Sequence, residues 1–148
     1  LNPAVLEQWN RNLQDKYNLI KEKEARYELY NTENADIIIV AYGTVARIAK
    51  SVIEKAKEEG FNVGLLRPIT LWPFPQEAFE KVINRTNAFL TVEMSSGQML
   101  EDVKLSVNGR KPVYFHGRMG GMVPERDDIL KIIRDIYEKS ASGSCDSN

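Results

Sequence analysis

Six residues have types suited to chemistry, and each falls where an apolar run gives out: Gly43, Thr44, Arg67, Glu93, His116 and Arg118. Arg67 and Arg118 carry planar guanidinium forks that match a carboxylate or a phosphate, and Glu93 lies in the same set as an acid. Gly43-Thr44 opens a stretch of helical periodicity. Glycine there permits a tight turn, the threonine hydroxyl can cap the helix, and free backbone N–H groups can hold an anion. His116 is the only histidine.

Each of these has a plainer reading, and the plainer one is favoured. There is no G-x-G-x-x-G and no G-x-x-x-x-G-K-[ST], so Gly43-Thr44 is first a helix cap. Arg67, Glu93 and Arg118 read as one buried or interfacial ion-pair network before they read as an anion site. His116 lacks a Ser or Cys partner set for nucleophilic catalysis and lacks the companions of a metal site. It reads as a satisfied loop histidine. No catalytic residue and no metal ligand is assigned.

The elements that must position these residues alternate strand and helix. Asp36–Ala41 is a nearly continuous apolar run, the pattern of a strand covered on both faces. Thr44–Glu59 is an amphipathic helix stopped by Gly60. Phe61–Leu66, Ala88–Val92 and Pro112–Phe115 read as further strands. Gln76–Arg85, Gly97–Asn108 and Asp127–Lys139 read as helices, with a loop over His116–Pro124. Glu24–Tyr30 reads as an edge strand with Ala25, Tyr27 and Leu29 on one face. This alternation predicts an α/β fold: a three-layer, Rossmann-like open sheet, mainly parallel, with helices on both faces. In such sheets ligands and partners gather outside the carboxyl ends of the strands, and all six residues are expected at that edge.

Two flanking segments complete the chain. Pro3–Ile20 reads as a helix capped by Asn2, with Val5, Leu6, Trp9, Leu13 and Tyr17 at helical spacing. That stripe must be covered by this domain or by another one. Lys16–Arg26 mixes both signs and reads as a solvated connector. The expected organisation is an N-terminal helix and connector over 1–34, an α/β domain over 35–139, and a disordered polar tail over 140–148. Within the domain, Trp72 and Phe74 each precede a proline and form a rigid apolar bulge, either a core lid or an interface anchor. The loop Gly117–Pro124 carries three glycines and two methionines, suiting either a partner-facing surface or simple flexibility.

Composition narrows the function classes. Of 148 residues, 43% are hydrophobic and 28% charged, an ordinary globular profile. The 20 basic and 21 acidic residues leave a net charge of −1, so there is no electrostatic case for nucleic acid or an anionic membrane. The longest apolar run, Ile37–Tyr42, is too short to span a bilayer. Leu1–Gln8 does not resemble a signal peptide, and Cys145 has no partner for an intramolecular disulfide, so the cytoplasm is the expected compartment. The first residue is Leu1 rather than Met, which suggests a piece of a longer protein.

Three stretches then point to a family. ADIIIVAYGTVARIAKSVIEKAKEEGFNVGLLRPITLWPFP, TVEMSSGQMLEDVKLSV and FHGRMGG closely resemble the C-terminal region of the α subunit of 2-oxoacid:ferredoxin oxidoreductases. The ketoisovalerate and 2-oxoglutarate enzymes are nearest, and the likeness runs from about Leu13 to Tyr137. YGT-x-AR, LRPITLWPFP and VEM-x-x-GQM-x-EDV are specific in combination. The resemblance implies a transketolase C-terminal-like domain, a structural and assembly part that is inactive alone. It implies a holoenzyme that decarboxylates a 2-oxoacid to an acyl-CoA with thiamine diphosphate, Mg, [4Fe-4S] clusters and coenzyme A, reducing ferredoxin. This segment itself is expected to bind none of these cofactors. Its partners would be other domains and subunits of the oxidoreductase. The alternative is a free-standing domain binding an anionic metabolite through Gly43, Thr44, Arg67 and Arg118. A relative within the wider transketolase group, with different chemistry, fits Arg67–Pro75 and Val92–Asp102 less well.

Overall fold

The computed structural model describes residues 2–142. Four consecutive β-branched residues form the central strand β2 (Ile37–Val40), and all four are buried. It pairs in parallel with β3 (Val63–Pro68) on one side and β4 (Ala88–Glu93) on the other. Beyond β4 lies β5 (Val113–Gly117), also parallel. Beyond β3 lies the antiparallel edge strand β1 (Tyr27–Tyr30), giving the order β1-β3-β2-β4-β5. The sheet thus takes an edge strand from the segment preceding Ala35.

Alternation along the strands sorts the core into two layers. Ile37, Ile39, Leu65, Leu90 and Val92 pack against α2 (Gly43–Glu58) and α5 (Arg126–Ser142) through Val52, Ile53 and Ile133. Ile38, Val40, Leu66 and Phe89 pack on the opposite face against α3 (Gln76–Glu80) and α4 (Gln98–Val107) through Phe79 and Val103. Helices therefore cover both faces of a mixed, mainly parallel open sheet. Gly64 sits where the turn after β1 crosses β3, and a Cβ there would meet the Asn31 carbonyl oxygen at 2.8 Å. Among the described residues no helix is long and apolar enough to cross a membrane.

Several boundaries differ from expectation. The N-terminal helix α1 runs from Pro3 to Glu24, so the mixed-charge stretch after Ile20 is helix rather than connector. Its Lys21 and Lys23 suit the negative end of the helix dipole. The helix expected through Arg85 ends at Glu80 and continues as turns. Strand β5 extends to Gly117, which places His116 in a strand rather than a loop. Helix α5 continues through Ser142, so the start of the expected polar tail is helical, with the Ser140 hydroxyl donating to the Ile136 carbonyl at 2.9 Å. Cys145 and the rest of that tail lie outside the described residues.

Candidate functional site

Because β2, β3, β4 and β5 are parallel, their carboxyl ends share one edge, and all six candidate residues lie at or just beyond it. What they do there differs from residue to residue. Gly43 adopts φ +57° at the first position of α2, and Tyr42 occupies the cap position with no side-chain cap bond. Thr44 already lies inside the first turn, so its hydroxyl does not cap the helix as expected. Both residues are exposed.

The expected ion-pair network of Arg67, Glu93 and Arg118 does not form. The Arg67 guanidinium instead donates to Glu28 at 3.1 Å, across the β1–β3 pairing. The second Glu28 oxygen receives Lys50 from α2 at 2.5 Å. The Lys50 ammonium, with help from Arg67 and against the opposing effect of burial, holds the Glu28 carboxyl below its ordinary pKa. Arg118 pairs with Asp128 at 3.6 Å, in the first turn of α5. Glu93 is fully buried, and its Oε2 accepts the Met99 backbone N–H at 2.9 Å in the first turn of α4. A carboxylate at that position complements the positive end of the helix. The Arg118 backbone N–H donates to the Glu93 carbonyl at 3.1 Å, a main-chain link only.

His116 is half-buried and paired in register with Val92. Its Nε2 is buried without a hydrogen-bond partner, so the expectation of a satisfied loop histidine fails on both counts. Burial pushes its pKa below the ordinary value; the Asp128 carboxylate opposes this and Arg118 adds to it. Val92 belongs to the core layer under α2 and α5, so His116 faces that layer too. Glu93, the next residue on β4, faces α4 on the other side of the sheet.

Outward, the same edge presents apolar groups. Met94, Phe115, Met119, Met122 and Val123 are all exposed, and Gly120 and Gly121 take positive φ in the loop that carries the last three. The Trp72–Phe74 bulge divides its two expected roles: Phe74 is half-buried over Phe79, ring centres 5.8 Å apart, while Trp72 stays 58% exposed. Glu28, Lys50 and Asp128 were not among the candidates. Glu28 was within reach of sequence reasoning, since Ala25, Tyr27 and Leu29 on one face of an edge strand leave it on the other.

The donor set does not fit an iron–sulfur cluster. A [4Fe–4S] cluster needs four thiolates, and the chain has one cysteine. Among the described residues no group of three His, Cys, Asp or Glu side chains could hold a metal ion.

Comparison with known proteins agrees with this architecture. The model of the family described as pyruvate:ferredoxin oxidoreductase core domain II matches residues 35–129. Ketoisovalerate oxidoreductase subunit VorB of Methanothermobacter marburgensis is 48% identical over 135 residues, covering 91% of this chain and 38% of its own. The 2-oxoglutarate synthase subunit KorA of the same organism is 30% identical over 89% of this chain and 35% of its own. The chain therefore spans little more than a third of the length of these relatives. Among solved structures, a 2-oxoglutarate:ferredoxin oxidoreductase from Magnetococcus marinus, with 2-oxoglutarate, coenzyme A and succinyl-CoA bound, superposes with a TM-score of 0.76 at 20% identity. That match covers 90% of this chain and 23% of the other. A split-gene transketolase, an inactive β4 tetramer, gives 0.65 over 74% of this chain and 41% of its own, also at 20% identity.

Proposed function

This chain belongs to the pyruvate:ferredoxin oxidoreductase core domain II family, and from that premise we propose that it serves as an assembly domain of a 2-oxoacid:ferredoxin oxidoreductase of the ketoisovalerate type. The holoenzyme would oxidatively decarboxylate a branched-chain 2-oxoacid to its acyl-CoA in the cytoplasm and pass the electrons to ferredoxin. Thiamine diphosphate, Mg, the [4Fe–4S] clusters and coenzyme A would be held by other domains and subunits. One observation carries the reading. Each charged residue at the strand ends has a partner inside the chain, Arg67 Nη1 with Glu28, Glu93 Oε2 with Met99 and Arg118 with Asp128, while Arg67 Nε and Glu93 Oε1 are buried without one. The groups left facing outward at that edge include Met94, Phe115, Met119 and Met122. An edge of that kind suits contact with protein better than capture of a charged metabolite.

The test is complementation. A relative's oxidoreductase lacking its matching segment should regain 2-oxoacid-dependent ferredoxin reduction when this chain is supplied. The chain alone should show no turnover and no heat of binding with coenzyme A, thiamine diphosphate or 2-oxoacids. Tight binding by the chain alone, abolished by Arg67→Ala or Arg118→Ala, would instead establish a free-standing anion-binding domain.

A further inference from the structure

Helix α1 has 22 residues and buries none of them. At 1.5 Å per residue it is about 33 Å long, and helices in proteins draw most of their stability from packing an apolar face. Val5, Leu6, Trp9 and Leu13 fall at i, i+1, i+4 and i+8 and therefore share one face, with exposures from 41% to 70%. Two polar pairs between them close within the helix: Arg11 pairs with Glu7 at 2.6 Å, and Gln8 donates to Asn12 at 3.0 Å. Only the far end of the stripe meets the domain. Tyr17 stands edge-on to Trp72 with ring centres 5.6 Å apart, and Ile20 is half-buried. Trp72 continues the stripe on the domain side and stays largely exposed.

Helix α1 lies outside the family core, which is matched only from residue 35. The 135 residues matched to the Methanothermobacter marburgensis subunit leave 13 of 148 unmatched, fewer than the 22 of α1. At least part of α1 is therefore shared with a subunit of which this chain spans only 38%. We propose that the Val5–Leu13 face of α1, together with Trp72, is the seat of the part of the subunit that such longer relatives carry beyond this chain. The inference rests on the assembly reading and names the partner for one surface of it. The matching apolar surface of that partner would remove Leu6, Trp9 and Leu13 from water, with the two tryptophans as anchors.

A chimera tests it: the Methanothermobacter marburgensis subunit with its matching segment replaced by this chain, expressed with its partner subunits. A photo-crosslinking residue at position 9 should join α1 to a peptide of the same subunit outside this chain. Leu6→Glu with Leu13→Glu should lower that yield roughly tenfold or more. The isolated variant should melt as wild type does, because no α1 residue is buried. Crosslinks to a different subunit or to a second copy of this chain overturn the inference and leave the assembly reading standing. So does a dimer of the isolated chain that the double variant disperses in sedimentation equilibrium. An unchanged crosslink yield in the double variant overturns the inference as well. A wild-type chimera that fails to join its partner subunits overturns the assembly reading, and the inference with it.

Discussion

Glu93 and His116 lie on paired strands one register step apart, yet they face opposite sides of the sheet. A general acid and a general base must reach one reacting atom, and a sheet between these two side chains prevents that. Their proximity at the strand ends is a consequence of parallel pairing rather than a shared site. Glu93 serves α4, while His116 lies with Arg118 and Asp128 beside α5.

The Glu93 role predicts a stability effect. Its carboxylate is the acceptor for the Met99 N–H in the first turn of α4. Glu93→Ala leaves that donor buried and unmatched and opens a void, so it should cost about 2–3 kcal/mol in urea unfolding. Glu93→Gln retains an acceptor for Met99 but loses the charge at the helix end and puts an amide NH2 where Oε1 is buried without a partner, so it should cost less than Glu93→Ala, roughly 1–2 kcal/mol. Equal and negligible losses for both variants would show that the carboxylate does not hold α4.

His116 predicts a pH dependence. Burial lowers its folded pKa below the ordinary 6.5, with Asp128 and Arg118 as the charged groups nearby. As pH falls below 6.5 the unfolded chain takes the proton first, so the unfolded state binds more protons. Stability linked to neutral His116 is therefore fully present above about 6.5 and is lost as pH falls toward the folded value. Unfolding free energy should decline between about pH 7 and pH 5, and His116→Gln should flatten that slope. An identical slope in the variant would remove His116 as its source.

How much of this was legible beforehand depends on the kind of information each feature needs. Ile37–Val40 announces a strand buried on both faces because four β-branched residues in a row have no polar side to expose. The edge strand near Tyr27 and the helices covering both faces follow from local periodicity in the same way. Facing is different, since it depends on register. Whether Glu93 and His116 meet is decided by Val92 pairing with His116, a contact between residues far apart in sequence. The Arg67–Glu28–Lys50 cluster likewise needs an antiparallel β1 beside β3 and the return of α2 over the sheet before its members come together. Thr44 lies two positions past the cap, because the cap is Tyr42 and Gly43, at positive φ, already belongs to the helix.

Two glycines should respond differently to alanine. A Cβ at Gly64 would press on backbone, 2.8 Å from the Asn31 oxygen and 3.0 Å from the Thr32 Cα, and backbone cannot swing aside. Gly64→Ala should cost about 2–3 kcal/mol by denaturant unfolding, because the turn after β1 must shift away from β3. At Gly43 there is open space, and only the positive φ opposes a side chain. Gly43→Ala should cost roughly 1–2 kcal/mol. A reversed order would mean that the crossing of the turn over β3 is not tight.

Tyr137 ties α5 to the far end of the sheet. Its hydroxyl accepts the Asn62 backbone N–H at 2.8 Å and lies 2.9 Å from Asp36 Oδ2, to which it donates, while its ring packs on Phe61 at 4.7 Å. Tyr137→Phe keeps the ring contact and removes both hydrogen bonds of the hydroxyl, so it should cost about 1–2 kcal/mol at neutral pH. Burial first, and the Asp36 hydrogen bond second, push the phenol pKa well above its usual 10.0. A raised folded value means the neutral phenol contributes fully below the unfolded pKa, and that contribution is lost as pH rises through the folded one. The gap in stability between wild type and Tyr137→Phe should therefore be constant through neutral pH and narrow above about pH 10. A gap that stays constant into strong alkali would show that the Tyr137 hydroxyl is not held in its protonated form by the fold.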